Sequence, residues 1–255
     1  ATLRFRRFFE DLAGWRRWGV AFLLGILAAL AMPPWNGLFL LLLSLPGLFW
    51  LVSTAPNHRT AFLLGLSFGF GHFLTGVYWI TNAFLVDADR FAWRVPIAIP
   101  GLALYLALFP AGAVLALRLL GRFFGTSGWR AAFLFALLWV TFEWLRGHLL
   151  TGFPWMLMGH GWIVSDAMIQ TAALIGSYGL SFVMVLAALM PMVLAQKKNT
   201  VRLLPLFLMS LLIMLLWGAG TIRLAQEEAQ NKTGIQLRIV QAHIPQALKW
   251  RSDPV

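Results

Sequence analysis

Two charged side chains stand where charge is costly. Glu143 and Arg146 fall in Val140-Thr141-Phe142-Glu143-Trp144-Leu145-Arg146-Gly147-His148, at the end of an apolar run, and ionisable groups at membrane depth are rare enough to be functional candidates by default. Three residues apart, they share one face of a helix. That spacing allows a local ion pair, and it equally allows the two groups to hold a lipid headgroup or a reactive loop. His72 lies mid-run among Gly65, Gly69, Gly71 and Gly76. Small residues so spaced mark close helix approach, which predicts an interhelical hydrogen bond for His72 rather than metal binding or proton relay. There is no cysteine, so disulfides, thiolate metal sites and a thiol nucleophile are all excluded within these residues.

The elements that position these groups are dictated by composition. With 60% hydrophobic and 11% charged residues over 255 positions, a water-soluble fold would expose large apolar patches, so lipid is the solvent. Seven apolar runs approach the thickness of a bilayer core: Trp15 to Met32, Gly37 to Thr54, Ala61 to Leu85, Ile97 to Leu120, Ala131 to Leu145, Ile169 to Leu194 and Leu203 to Ile222. Pro46, Pro100, Pro110 and Pro191 lie in or near them, which membrane helices tolerate.

The net charge of +11 could suggest nucleic acid, but the basic residues are dealt out among loops rather than gathered on one face. Twelve fall on one side, from Arg4 in the first segment through Arg59, Arg118 and Arg130 to Lys197, Lys198 and Arg202; three, Arg90, Arg94 and Arg146, fall on the other. The asymmetry predicts a cytoplasmic N-terminus and a C-terminal segment on the far side, with no nucleic-acid partner. The tail's own five basic residues argue weakly the other way. Residues 1–18 repeat Phe5, Phe8, Phe9, Leu12 and Trp15 at helical spacing among arginines, as an interfacial amphipathic segment would. No small-residue cleavage pattern comes after the first run, so it is not read as a signal peptide. Ala1 is expected not to be the natural start.

Trp35, Trp79, Trp155 and Trp162 fall together at the far-side interface, as an aromatic belt or an amphiphile-binding mouth would. The connection from Arg146 to Met168 is long and apolar, through Thr151-Gly152-Phe153-Pro154-Trp155-Met156. Such a loop should dip into the interface or pack beneath a covering domain. After a polar linker, Ile235, Leu237 and Ile239 alternate with Gln236 and Arg238, which predicts a strand with one buried face.

Three stretches carry a resemblance: Phe142-Glu143-Trp144-Leu145-Arg146-Gly147 running into Leu150-Thr151-Gly152-Phe153-Pro154-Trp155; Gly69-Phe70-Gly71 with Tyr78-Trp79-Ile80; and Ile239-Val240-Gln241-Ala242-His243-Ile244-Pro245-Gln246-Ala247-Leu248-Lys249-Trp250. In this order they resemble the apolipoprotein N-acyltransferases of the bacterial inner membrane. The resemblance implies an all-α polytopic membrane helix bundle of about seven transmembrane helices (19–222), followed in 223–255 by a linker and the first β-strand of a truncated α/β nitrilase-like domain in the periplasm. It implies acyl transfer from a membrane phospholipid to the N-terminal diacylglyceryl-cysteine of a lipoprotein, through a cysteine thioester, by a monomer without cofactor or metal. A Glu base, an oxyanion-stabilising Lys and a Cys nucleophile are expected downstream of Val255, so no catalytic residue falls in this chain, which is expected to be inactive alone. Glu143, Arg146 and Trp155 match the membrane-side motif and are expected to support the loop beneath the active site; Trp250 matches a position near it. A small transporter or channel and a non-catalytic lipid-presenting scaffold are the alternatives.

Overall fold

A computed structural model describes residues 2–124, 128–194 and 203–226, with Arg238, Val240 and Gln241. Its helices track the apolar runs. The amphipathic α1 (Thr2–Glu10) precedes seven long helices: α2 (Trp15–Leu30), α3 (Leu41–Ser53), α4 (His58–Gly76), α5 (Val95–Phe124), α6 (Gly128–His148), α7 (Ala172–Ala188) and α8 (Leu204–Gln226). Pro46 lies inside α3, and Pro100 and Pro110 inside α5. Asn57 caps α4 by accepting from the Thr60 amide at 2.8 Å, satisfying one donor at its free N-terminus.

By length and apolarity, Ala88–Gly121 and Leu204–Gln226 could each cross a membrane, and His58–Gly76 with Tyr78–Phe84, bent by 47°, makes a third if the pair is one span. The rest fall short of the seven full spans that the sequence predicts. α2, α3 and α7 have 16, 13 and 17 residues, and α6 carries Arg130, Glu143 and Arg146. The runs also break where the backbone turns. Ala61 to Leu85 bends after Gly76, and Ile169 to Leu194 is divided into Asp166–Gln170, α7 and Pro191–Leu194, with a kink inside α7 at Gly176 (φ 68°, ψ 176°), a conformation suited to glycine.

Helix α4 is the centre of the bundle, with α2 on one side and α5 on the other, and α6 packs against α5 and α7. Glycines set these approaches. A side chain at Gly25 would strike the Phe68 carbonyl, one at Gly71 the Phe22 carbonyl, and Cβ atoms at Gly65 and Gly69 would lie 2.8 Å from the Cα atoms of Ala111 and Ala107. This is close packing by small residues, with van der Waals contact standing in for the hydrophobic effect that lipid does not provide. The core is aromatic around Phe68, Phe73, Phe135 and Trp139. The first helix docks on protein as well: in α1, Phe9 is buried beside Trp50, at 5.8 Å between rings, while Phe8 points outward.

Helix α8 stands apart. It meets the short helix Asp166–Gln170, where Gly220 lies against the Ala167 carbonyl, and most of its other side chains face outward. Among the described residues there is no strand; Arg238, Val240 and Gln241 are irregular, and the rest of the expected strand, Ile235 to Gln241, and Trp250 lie outside the described residues.

Candidate functional site

The loop between α6 and α7 is bolted to both helices. Its first turn runs through Leu150, Thr151 and Gly152, all with positive φ (49°, 75° and 76°). A Cβ on Gly152 would collide with the Gly147 carbonyl, so φ and space together demand glycine. The chain then returns to the end of α6, where the Phe153 amide donates to the Arg146 carbonyl at 2.8 Å.

Glu143 and Arg146 hold the next stretch of the loop, Phe153 to Met158. The Arg146 Nη1 donates to the Phe153 carbonyl at 2.8 Å and to the Trp155 carbonyl, and its guanidinium lies over the Phe73 ring, 5.0 Å from the centroid. Such a planar fork can serve two carbonyls and an aromatic face together. Glu143 Oε1 accepts from the Met158 amide at 2.9 Å and from Trp139 Nε1 at 3.1 Å. Both side chains are buried. The direct ion pair allowed by their spacing is not formed, because each spends its reach on the loop. Between these anchors Met156 takes φ 58°, a strained backbone for a long side chain.

The loop's second half is fixed to α7. Residues Met158–Val164 form a 3-10 helix; the Gly159 amide donates to Ser181 Oγ at 2.8 Å, and Trp162 Nε1 to the Leu180 carbonyl at 3.2 Å. A side chain on Gly159 would meet the Ser177 carbonyl and the Ser181 amide at 2.7 Å. These bonds bury the middle of the loop, Met156 to Gly159, while Leu149, Leu150, Trp155, Ile163 and Val164 remain exposed.

Above the anchored loop is a cavity of about 590 Å³ lined by Met32, Pro33, Pro34, Trp35, Gly76, Tyr78, Trp79, Trp155, Met156, His160 and Ile163. Ring pairs frame it: Trp35 with Tyr78, and Trp79 with Trp155, each at 5.9 Å. All four rings keep substantial exposure. Burial, then the Arg146 cation, holds the His160 imidazole below its ordinary value, although part of the residue stays open to the surface. Such a wall can accept an apolar chain but offers little to bind a charged one tightly.

Thus the structure brings Glu143, Arg146 and Trp155 together, the first two as anchors and Trp155 as part of the wall they hold. Of the four interfacial tryptophans, Trp35, Trp79 and Trp155 line the cavity, while Trp162 turns away to α7. Sequence reasoning missed Trp139 and Ser181. Trp139 had a usable signal, an indole donor four residues before Glu143 on the same helix; Ser181 had none. His72 is buried at the inner side of the site, stacked with Phe68 and edge-on to Phe73; the backbones of Met156 and of Gly25 on α2 lie within hydrogen-bonding reach of its ring, Gly25 being the kind of interhelical partner expected of it, while Nδ1 itself is unpartnered.

Apolar helices whose two buried charges clamp one loop beside an aromatic cavity are those of a helical membrane protein. The model of the apolipoprotein N-acyltransferase N-terminal domain matches residues 24–190, and the chain belongs to that family. It is 40% identical over 244 residues to the apolipoprotein N-acyltransferase of Rhodopseudomonas palustris, covering 93% of this chain and 45% of that protein. The enzymes so named from Allorhizobium ampelinum and Rickettsia prowazekii are 38% and 36% identical, over 93% and 92% of this chain and 46% of each relative. The chain spans about half the length of the curated relatives it matches.

Proposed function

We propose that this chain is the membrane-embedded part of an apolipoprotein N-acyltransferase, which moves an acyl chain from a membrane phospholipid to the N-terminal diacylglyceryl-cysteine of a lipoprotein. What supports this beyond family membership is the clamped loop: Glu143 and Arg146 fix it by hydrogen bonds to the backbone of Phe153, Trp155 and Met158, directly beneath the aromatic cavity. In this reading the seven long helices are seven spans with the N-terminus cytoplasmic and the loop on the periplasmic side of the inner membrane. The cavity takes the acyl donor's chain beside Trp79 and Trp155, and the clamped loop is the floor of a reaction centre built above it.

The chemistry has two acyl transfers. A thiolate attacks the donor's ester carbonyl, a carboxylate having taken its proton, and the lysophospholipid leaves with a proton on its oxygen; the acceptor's free α-amine then attacks the thioester, and the thiol is regenerated. An ammonium stabilises the oxyanion of each tetrahedral intermediate. Residues 1–255 contain no cysteine, so the Glu, Lys and Cys of this reaction are assigned to the nitrilase-like domain, and Trp250 to its entry. This chain contributes binding, orientation and exclusion of water.

The test is a reconstituted assay with the full-length protein, a phospholipid donor and a diacylglyceryl peptide. Mass spectrometry should show one acyl chain added to the peptide amine and one lysophospholipid formed per turnover. Acylation of the peptide with no lysophospholipid, or none at all from correctly folded protein, contradicts the assignment.

A further inference from the structure

A second, much smaller cavity lies behind the clamp. It has a volume of about 10 Å³ and is lined by residues of α4, α5 and α6 with Met156 of the loop. Its wall is apolar except where His72, Glu143 and Arg146 reach it. These side chains are 1%, 5% and 2% exposed, and although the Met156 and Gly25 backbones lie close to His72 and the Ser181 hydroxyl close to Glu143, one atom on each side chain has no partner at hydrogen-bond geometry: His72 Nδ1, Glu143 Oε2 and Arg146 Nη2. Buried polar atoms are nearly always partnered. Three unpartnered atoms, on residues of two different helices that line one small space, point to a shared ligand.

The ligand's chemistry is set by theirs. Arg146 Nη2 can only donate, ionised Glu143 can only accept, and His72 Nδ1 can do either according to its tautomer. An anion would face the carboxylate, and a cation would face the guanidinium. The fitting ligand is neutral, small, and both donor and acceptor. The space is about that of one water-sized sphere, which is the least that holds a water, and three polar neighbours are what a buried water usually has.

We propose that this cavity binds one structural water, which accepts from Arg146 Nη2 and donates to Glu143 Oε2 and to His72 Nδ1. The remaining His72 proton then sits on Nε2. Glu143 and Arg146, held apart by the loop, are joined through this molecule, and α4 is joined to α6 where van der Waals packing leaves a gap. The clamp is therefore one network reaching from α4 to Met158. This holds whether or not the protein is an acyltransferase.

Ala113 lines the cavity from α5, and it gives a sterically matched test in the full-length protein. Ala113→Val and Ala113→Thr add nearly the same volume, so any overpacking is common to both. Val expels the water and leaves three polar atoms unpartnered; Thr brings a hydroxyl that replaces it. The Thr variant should unfold at a temperature higher than the Val variant, by about 2–4 °C for each bond so recovered. A Val variant as stable as Thr or more so means a dry cavity and overturns the proposal. Should both variants fail to fold, the unsubstituted full-length protein decides: density resolved well enough for ordered water should show a peak about 2.7–3.2 Å from all three atoms. No peak there, with Glu143 paired directly to Arg146 or His72, overturns it.

Discussion

At the scale of the residue, Glu143 is an anchor because of two donors that have no other acceptor. Glu143→Leu strands the Met158 amide and the Trp139 indole, each unsatisfied donor costing about 1–3 kcal/mol when buried, whereas Glu143→Gln keeps a carbonyl oxygen for both. The Leu variant of the full-length protein should therefore melt well below the Gln variant in a thermal unfolding assay. Equal midpoints would mean that the acceptor is not what matters. Arg146→Lys should cost nearly as much as Arg146→Met, because one flexible ammonium cannot serve two carbonyls and cover the Phe73 face as a planar guanidinium does; full retention of stability in Lys would sink that account. Both residues were legible from charge alone, since an acid and a base at the end of an apolar run need a reason. What the sequence could not say is that they would turn from each other to the loop. Helical spacing places side chains on a face, but which neighbour each meets depends on residues well beyond the next turn, such as Met158, fifteen positions from Glu143.

At the scale of the element, glycines decide the geometry. Gly152 is required twice, by its φ of 76° and by the Gly147 carbonyl in the place of a Cβ. Gly152→Ala should release the loop, seen as faster hydrogen exchange at the Phe153 and Met158 amides with little change in α2 or α4. Unchanged exchange would show that the turn does not hold the loop. Gly25→Val acts elsewhere. It drives a side chain into the Phe68 carbonyl and should part α2 from α4, lowering folded yield in membranes rather than loop protection alone. The clustering of Gly65, Gly69 and Gly71 made close packing legible, but not which partner each would meet. The breaks in the third and sixth runs were hidden because an apolar stretch stays apolar through a bend; in the sixth, Pro191 marked where the last piece begins, and Gly176 marks the kink inside α7.

At the scale of the whole molecule, hydropathy located the helices well, while the number of complete crossings is a matter of length that composition blurs: among the described residues two helices, or three with a bent pair, qualify by themselves. The tail from Ile235 was legible only as alternation, and alternation without neighbouring strands specifies no sheet. Orientation rests on the twelve-to-three division of basic residues. Reporter fusions at Lys198 and Thr233 should give opposite signals, cytoplasmic and periplasmic, and equal signals would defeat the seven-span reading. The proposed role of this chain, to bind and position lipid for a reaction whose nucleophile it does not contain, is tested most directly by the acylation state of lipoproteins in cells depleted of their own N-acyltransferase. Expression of the full-length protein should restore the third acyl chain, and residues 1–255 alone should leave lipoproteins diacylated. Triacylated lipoproteins from residues 1–255 alone, or none from the full-length protein, would contradict the account.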